Sequence, residues 1–432
     1  CVNACIRLLP SVDGKAVCTV ESLATADALH PVQQAMAECH GSQCGFCTPG
    51  FVMSLFALYK NAWRPDREAV CDALSGNLCR CTGYRPILDA AERMYDLPAP
   101  DDWRAPGVAP DGGLRASSDE RAIAGRLAAL GRRGTFEYLA SGQRWIAPAS
   151  EDAFATALAA SPDATIVAGA TDVGLWVTKA HRDLGTILYT GSATDLAHID
   201  HEAGGVSIGA AATLADAFVA LDVAFPELRE AWTRFASVAI RASGTLGGNV
   251  ANGSPIGDSM PALIALGARV ELRREACVRS LPLEDFYLGY RRTALEPGEF
   301  LRAVCVPARP EGMLLRAYKV SKRFDQDISA VFACFAIAVD AGRVVGARIG
   351  CGGVAPVPVR AQRTEAALAG RPFNEATLGV AARVLAEEFA PIDDMRASAA
   401  YRRTVLGNLL RRFWHETGAT HGAPVRVADV AR

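Results

Sequence analysis

Two pairs of closely spaced cysteines constrain this 432-residue chain more than any other feature. Cys44 and Cys47 lie in "QCGFCTPG", and Cys79 and Cys81 lie in "NLCRCTGY". The second pair is too close in the chain for an easy disulfide, because a disulfide needs a defined separation and a torsion near 90°. Each pair comes directly before a segment with helix-start signals, so we expect both pairs in turns. The four thiols are therefore candidate ligands of one shared metal centre.

The spacing by itself leaves three alternatives open for these thiols. Structural zinc is usually held by two CxxC-like knuckles, and a CxC arm is less common in such sites. A [2Fe–2S] cluster also takes four thiolates and can draw them from two separate loops. Four unrelated buried thiols are the third alternative. Two tight pairs that both precede helices favour a metal centre over this last alternative.

The residues around the cysteines resemble a known family. "SQCGFCTPGF" and "GNLCRCTGYRPI" are similar to the helical [2Fe–2S] domain of the molybdenum hydroxylases. The resemblance implies that Cys44, Cys47, Cys79 and Cys81 hold one [2Fe–2S] cluster, with Cys79 and Cys81 expected on one iron. Gln43 precedes the first pair, where the family places this cluster next to the pterin of a neighbouring domain; a hydrogen-bonding role in the turn is the alternative.

The first residues of the chain resemble the end of another domain of the same family. "VNAC" is similar to the end of its plant-type [2Fe–2S] ferredoxin domain, which implies that Cys5 is a ligand of a second [2Fe–2S] cluster. The sequence begins at Cys1 without a Met. We therefore expect that natural upstream residues are missing, and that the three companion ligands of Cys5 lie among them.

The remaining cysteines are expected to pack in the interior. Nine of the thirteen cysteines fall between Cys1 and Cys81, which indicates a metal module and not a disulfide framework. A reducing, cytoplasmic setting follows from this distribution. The cysteines expected to be ordinary packing residues are Cys1, Cys18, Cys39, Cys71, Cys277, Cys305, Cys334 and Cys351.

Composition and charge exclude several classes of partner. The chain is 50% hydrophobic and 21% charged, with a net charge of -2, so we expect no nucleic-acid partner. Its longest apolar runs, such as 331–339, are far shorter than the roughly 18 residues that a membrane span needs. We therefore expect no membrane partner. The length predicts about two to four domains.

The pattern along the chain predicts a multi-domain α and α+β protein. Helical signals dominate up to residue 96, a Pro- and Gly-rich segment with one short helix follows, and strands then alternate with helices. With the resemblance, the predicted domains are the truncated end of a ferredoxin domain (1–20), a helical four-helix [2Fe–2S] domain (21–98), a linker (99–144), an FAD-binding domain (145–308) and a C-terminal α+β flavoprotein domain (309–432).

Two glycine-rich stretches are candidate anion-binding loops. They are "TIVAGATDVGLWVTK" at 165–179 and "IRASGTLGGNVANGSPIGD" at 240–258. Neither contains the GxGxxG of a Rossmann unit. Glycines at this density allow positive φ angles and can present bare N–H groups to a pyrophosphate. Such a loop is often only a loop, so this signal is weak by itself.

The order and spacing of the two stretches resemble the two-subdomain FAD domain of vanillyl-alcohol-oxidase type in the same family. The resemblance implies FAD contacts along both loops, an aromatic residue over the isoalloxazine ring and a lysine near it. The implied residues are Ala168, Gly169, Ala170, Thr171, Asp172, Val173, Gly174, Phe235 (the aromatic), Gly244, Thr245, Gly247, Gly248, Asn249, Asp258, Leu301 and Lys319. Ala170 and Asp172 differ from the Asn and Glu of the vertebrate enzymes, so their backbone contacts are the ones expected to persist.

A charged segment after Lys319 resembles the loop that governs NAD access to the flavin in xanthine dehydrogenases. In "YKVSKRFDQDISAV" it supplies Arg323, Asp325 and Asp327. The alternative is a charged turn that leads into a strand. No histidine lies in a GGH-like turn near the first loop, so we expect FAD to be bound without a covalent link.

The fusion of an iron–sulfur module and an FAD domain, with no molybdenum domain after it, resembles the small subunit of bacterial xanthine dehydrogenases. This resemblance implies an electron-transfer chain that serves purine oxidation, with NAD as acceptor. It also implies a large molybdopterin-binding partner subunit in an (αβ)2 heterotetramer. The alternatives are the equivalent subunit of an aldehyde or other molybdenum hydroxylase, a self-contained flavin oxidoreductase, or a zinc-stapled binding protein.

Overall fold

The computed structural model describes residues 1–132 and 134–418, which divide into two compact units. The first unit contains residues 1–138, 170–182 and 236–243. The second contains residues 139–169, 183–235 and the chain from 244 onward. The predicted α and α+β composition is confirmed, because helices dominate up to Arg93 and sheets with flanking helices follow.

The α-helices, in chain order, are α1 (Pro31–Glu38), α2 (Thr48–Asn61), α3 (Arg67–Ala73), α4 (Arg85–Arg93), α5 (Ser118–Leu130), α6 (Glu151–Ala160), α7 (Val173–Thr178), α8 (Leu214–Ala224), α9 (Arg229–Thr233), α10 (Val238–Arg241), α11 (Leu246–Asn252), α12 (Ser259–Ala265), α13 (Leu283–Phe286), α14 (Gln362–Leu368), α15 (Glu375–Glu388) and α16 (Ala399–Thr417). No helix among the described residues is both long enough and apolar enough to cross a membrane.

The strands, in the same order, are β1 (Phe136–Ala140), β2 (Gln143–Ala147), β3 (Thr165–Val167), β4 (Thr186–Tyr189), β5 (Ile199–Glu202), β6 (Gly205–Gly209), β7 (Arg269–Arg274), β8 (Cys277–Pro282), β9 (Tyr287–Gly289), β10 (Arg292–Thr293), β11 (Phe300–Pro307), β12 (Met313–Val320), β13 (Val331–Asp340), β14 (Arg343–Gly352) and β15 (Val359–Arg360).

Helices α1 to α4 form the core of the first unit. Their apolar faces meet in a cluster that includes Phe51, Leu55 and Ile87, each at most 1% exposed. The ring of buried His30 caps α1 by accepting a hydrogen bond from the Val32 N–H, and it meets the ring of Tyr59 edge-on. Burial therefore lowers the pKa of His30 to about 4, so this side chain is neutral near pH 7.

The segment after residue 98 folds onto this helical core. The Lys60 ammonium donates to the carbonyl oxygens of Trp103 and Ala105 at 2.9 and 2.6 Å, and to Glu120 at 2.7 Å. The Gly107 N–H donates to the Lys60 carbonyl, and a Cβ at Gly107 would lie 2.4 Å from that oxygen. The segment predicted to be a linker therefore has defined contacts up to α5.

The second unit contains an antiparallel five-stranded sheet with the order β5-β6-β11-β7-β8. Strand β11 is central and pairs with both β6 and β7, and its register shifts between Leu301 and Ala303. Helices α8, α11 and α12 supply the apolar residues that pack in the same core, such as Phe218, Val250 and Leu263. A separate sheet in the order β1-β2-β4-β3 has β2, β4 and β3 parallel.

The C-terminal part of the second unit is a second antiparallel sheet, β12-β13-β14-β15, with helices α14, α15 and α16 packed on it. Strand β13 is buried over most of its length, which explains why its sequence shows no alternation of polar and apolar residues. The opposite faces of this sheet contribute to two cores, because Phe332 belongs to the core of the five-stranded sheet and Phe335 to the helical side.

Candidate functional site

The four predicted cluster ligands lie on two loops that meet in the first unit. Cys44 and Cys47 occupy the turn before α2, and Cys79 and Cys81 occupy the loop before α4. The thiols of Cys44 and Cys81 lie close enough to shift each other's pKa, as do those of Cys47 and Cys79. The structure therefore brings the four predicted ligand thiols together, and which of them share an iron stays a prediction.

Gly50 and Asn77 bring the two loops together, and sequence reasoning missed both residues. A Cβ at Gly50 would lie 2.6 Å from the side-chain oxygen of Asn77. The Asn77 amide nitrogen donates to the Ser54 hydroxyl at 2.9 Å and to the Leu74 carbonyl at 3.1 Å, so it cannot move freely. A glycine in the first turn of α2, where Ala would favour the helix more, was the available signal.

The start of α2 also differs from a simple capped helix. Cys47, and not Thr48, occupies the N-cap position, and its side chain makes no capping hydrogen bond. The Thr48 hydroxyl instead lies 2.6 Å from the Ser42 hydroxyl, which closes the cysteine turn. Because the Cys47 thiol makes no capping hydrogen bond, it can face the second loop.

The local hydrogen bonds favour the thiolate on one member of each pair. Hydrogen bonds from the side chain and backbone of Thr82 lower the pKa of Cys79 to about 7. A backbone hydrogen bond at Phe46, followed by the contact with Cys81, lowers the pKa of Cys44. Burial raises the pKa of Cys47, and the hydrogen bond with Cys44 raises that of Cys81. Thiolates are the form that binds iron.

The four cysteine thiols of the two loops are of the type that holds a [2Fe–2S] cluster. A [2Fe–2S] cluster spreads four cysteine ligands over two irons, so paired thiols on opposite loops are a suitable donor set. The chemistry of these donors fits the cluster that the sequence predicted.

Most of the other cysteines do not have the interior positions that we expected. Cys5 lies exposed in the 3-10 turn Ala4–Ile6, consistent with a ligand that needs partners outside this segment. The packing role is wrong for four cysteines that are exposed and correct for two that are buried, while two are intermediate. The exposed ones are Cys1, Cys18, Cys71 and Cys277, the buried ones Cys334 and Cys351, and the intermediate ones Cys39 and Cys305. Cys1 and Cys18 lie in irregular chain that forms little core of its own.

The second glycine-rich stretch forms helix α11, and its first N–H groups are already bonded. Those of Leu246 and Gly247 donate to the carbonyl oxygens of Ala212 and Ala210, and that of Gly248 donates to the Thr245 hydroxyl at 3.0 Å. The idea that these glycines present bare N–H groups is therefore wrong. Their common property is close packing, because a Cβ at Gly247 would lie 2.4 Å from the Cβ of Ala210.

The other residues of this stretch either make hydrogen bonds at the start of α11 or lie on its exposed side. Thr245 is the N-cap of α11, and buried Gly244 accepts a hydrogen bond from the Leu214 N–H through its carbonyl. Gly248 is exposed, and a Cβ there would lie 3.6 Å from that of Ala168. The two loops therefore approach each other at Ala168 and Gly248. A larger side chain at Gly248 would fill the space between the loops.

The first loop has N–H groups without partners among the described residues. Those of Gly169, Thr171 and Val173 make no hydrogen bond to any described residue. Ala170 adopts a positive φ of 59°, which turns the chain sharply, and its carbonyl accepts from the Gly174 N–H. Consecutive N–H groups around such a turn can hold an anionic group. A diphosphate contact through the backbone of Ala170 and Asp172 therefore stays a prediction.

Asp258 and Lys319 form a buried ion pair beside α11. The Lys319 ammonium lies 2.5 Å from one Asp258 oxygen, and both side chains are 3% exposed. The neighbouring Ser259 hydroxyl donates to the side-chain oxygen of Asn249 on α11. Asp258 and Lys319 are therefore paired directly, and Asn249 bonds to the residue that follows Asp258 in the chain.

Phe235 and Leu301, two further predicted flavin residues, lie in the same unit. Phe235 is half-buried and meets the ring of Phe218 edge-on at 5.5 Å, with the remainder of its surface accessible. Leu301 is 6% exposed in β11 and packs in the core of the five-stranded sheet. A contact between Leu301 and a cofactor would therefore involve its backbone or a small exposed part of its side chain.

Arg234 holds the predicted NAD-access loop, residues 321–329. Its guanidinium Nε donates to the Phe324 carbonyl at 2.9 Å, and its guanidinium carbon lies 4.1 Å from the Phe324 ring centroid. Within the loop, the Arg323 guanidinium pairs with Asp327 at 3.3 Å, whereas Asp325 is exposed. Arg234 immediately precedes Phe235, so this loop is tied to the chain next to the predicted flavin aromatic.

Three family models together match most of the described chain. Residues 19–92 match a [2Fe-2S] binding domain, residues 136–309 match the FAD binding domain in molybdopterin dehydrogenase, and residues 316–417 match the CO dehydrogenase flavoprotein C-terminal domain. These matches confirm a domain for each of the two cofactor types that the motifs predicted.

Known proteins resemble the chain over long stretches. It is 32% identical to xanthine dehydrogenase of Emericella nidulans over 96% of this chain, and 31% identical to nicotinate hydroxylase of the same fungus over 94%. These alignments cover 34% and 37% of the relatives, so the chain spans about a third of their length.

Chains of solved structures also resemble this chain. A chain of a Cu,Mo-CO dehydrogenase is 30% identical, with 64% of this chain and 97% of that chain covered at a TM-score of 0.59. A chain of quinoline 2-oxidoreductase from Pseudomonas putida 86 is 29% identical, with coverage of 62% and 93% and a TM-score of 0.56. The protein described here therefore belongs to the molybdenum hydroxylase family, as a component with a [2Fe–2S] binding domain and an FAD binding domain.

Proposed function

We propose that this chain is the electron-transfer subunit of a xanthine dehydrogenase. It would carry electrons from a molybdopterin centre on a large partner subunit, through [2Fe–2S] clusters to FAD, and then to NAD+ during oxidation of hypoxanthine or xanthine. One observation supports this proposal most strongly. The two pairs of cysteine thiols and the flavin loops occur on a single chain, and 96% of this chain aligns with a xanthine dehydrogenase at 32% identity.

The chemistry of the proposed reaction belongs to the cofactors, which supply one-electron steps and hydride transfer when bound. The chain's own residues bind and orient them. The thiols of Cys44, Cys47, Cys79 and Cys81 would hold one cluster, and Cys5 would be one ligand of the other.

At the flavin, the N–H groups around Ala170 would hold the diphosphate, and Phe235 would lie against the ring. Asp258 and Lys319 would contact the ribityl chain and ring through a charge pair that is already neutralised. Arg234 would keep the 321–329 loop in place, and this loop would set how a nicotinamide dinucleotide approaches.

A large partner subunit in an (αβ)2 heterotetramer would carry the molybdopterin centre, and the similarity to a chain of a Cu,Mo-CO dehydrogenase over 97% of that chain supports a separate flavoprotein chain. All thirteen cysteines are free, which supports a reducing cytoplasmic setting. The nicotinate hydroxylase and quinoline 2-oxidoreductase relatives support a second candidate, the same electron-transfer role for an N-heterocyclic substrate other than a purine.

Copurification with the partner subunit tests the proposal directly. We expect iron, acid-labile sulfide and FAD in the complex, and NAD+ reduction that depends on xanthine. NAD+ reduction with nicotinate and not xanthine would favour the second candidate. A colourless chain that contains zinc and no flavin would refute both.

A matched pair of cysteine variants tests the assigned ligands. Cys79→Ala should abolish one [2Fe–2S] signal in electron paramagnetic resonance while FAD remains bound. Cys71→Ala is the control, because Cys71 is exposed on α3 and outside both cysteine loops. Equal loss of the signal in both variants would contradict the ligand assignment.

A further inference from the structure

A third buried side chain, Ser329, completes the contacts of the Asp258–Lys319 pair. Its hydroxyl donates to one Asp258 oxygen at 2.6 Å and accepts from the Lys319 ammonium at 2.9 Å. The other Asp258 oxygen accepts from Lys319. Ser329 is fully buried, so no water competes for these bonds. The three groups form a closed ring of hydrogen bonds.

The ring leaves one donor on Lys319 uncommitted. An ammonium group has three N–H donors, and the described contacts use two of them, to Asp258 and to Ser329. A buried donor without an acceptor is unfavourable, so the third N–H is suited to an acceptor atom of a bound molecule. The other two bonds determine where this third N–H points.

Ser329 also lies where the 321–329 loop rejoins the sheet. Lys319 pairs with Phe332 in the β12–β13 ladder, and the Ala330 N–H donates to the Val320 carbonyl at 2.8 Å. The loop therefore leaves the sheet just after Lys319 and returns just after Ser329. The hydroxyl of Ser329 ties this returning end directly to the two charged residues.

We propose that Ser329 is a positioning residue of the flavin site: its hydroxyl fixes the Lys319 ammonium on Asp258 and directs the remaining ammonium N–H to an acceptor of FAD. This inference rests on the proposed flavin contacts of Lys319 and Asp258. Ser329 itself need not touch the cofactor, because it acts through Lys319.

Ser329→Ala in the full chain tests the role of the hydroxyl. We expect the dissociation constant of FAD, measured by fluorescence titration of the flavin-free protein, to rise about tenfold, as for loss of one hydrogen bond to a charged group. The midpoint potential of the bound flavin should also shift, because the charge beside it is no longer held in one place. Ser321→Ala is the matched control, since Ser321 lies on the same loop and bonds only to the Arg323 carbonyl.

The outcomes separate the inference from the proposal on which it rests. A folded Ser329→Ala chain with unchanged FAD affinity and flavin potential overturns the positioning role, even if its thermal midpoint falls. A wild-type chain that binds no FAD overturns the proposed flavin site itself. If Ser329→Ala does not fold, Ser329→Cys keeps the side-chain volume and weakens the hydrogen bonds, and the same two readouts decide.

Discussion

Removing the buried guanidinium of Arg402 should strongly destabilise the C-terminal part of the second unit. Arg402 lies on α16 and is 1% exposed. Its guanidinium donates to the carbonyl oxygens of Ala330 and Gly353 at 2.5 and 2.7 Å, and to Asp394 at 2.6 Å. It thereby joins α16 to the ends of β13 and β14, next to Ser329.

The expected cost follows from these three contacts. Arg402→Met keeps most of the side-chain volume but removes one donor from each of two carbonyl oxygens and from the Asp394 carboxylate. Removal of one partner of a buried charged pair costs about 3–5 kcal/mol. We expect the lower part of this range, because Asp394 keeps the Arg396 guanidinium at 3.0 Å. A loss of about 3 kcal/mol lowers the thermal midpoint of a domain of this size by about 6–12 °C.

The assay is thermal unfolding followed by far-UV circular dichroism, with Arg403→Met as the matched control. Arg403 is the next residue of α16 and is exposed, so the same substitution there should change stability by less than about 0.5 kcal/mol. Equal midpoints for the two variants would refute the reasoning, because they would show that the three buried contacts contribute no net stability.

Three further predictions follow from the site and its surroundings. Arg234→Ala should speed tryptic cleavage at exposed Arg323 about tenfold, because the 321–329 loop loses a hydrogen bond and a cation–π contact; an unchanged rate would contradict this. Gly50→Ala should reduce the cluster's visible absorbance, and adding Asn77→Ala should restore part of it, since the Cβ would meet the Asn77 oxygen. Burial alone would raise the pKa of Asp394, but hydrogen bonds from backbone N–H groups and Arg402 lower it to about 2. Its contribution of about 1–2 kcal/mol is therefore complete above pH 4 and lost as pH falls towards 2, and Asp394→Asn should remove that part of the stability decrease.

Helix positions and the cysteine module could be predicted because their signals are local. Helical signals dominate the sequence up to residue 96, and the structure has α1 to α4 in that region. The order of cysteine loops and flavin loops along the chain likewise needed no tertiary information. The close approach of the two cysteine loops at Gly50 and Asn77 could not be predicted, because it depends on how α2 packs against the second loop.

The flavin loops also combine a feature that the sequence records with one that depends on the tertiary structure. Their glycines are visible in the sequence, but whether an N–H group is free depends on partners far away in the chain. The N–H of Gly247 is bonded to Ala210, whereas that of Thr171 has no partner among the described residues. The sequence pattern therefore located both loops, but it could not show which of their N–H groups already have partners.

The sequence by itself determined the family, the domain order and the types of cofactor, because each is encoded in contiguous motifs with a defined spacing. Only the tertiary structure decided which side chains contact one another. The ring of Asp258, Lys319 and Ser329 joins residues up to 71 positions apart, and a buried charge is stable only where such partners converge. That convergence is a property of packing, and no local pattern in the chain records it.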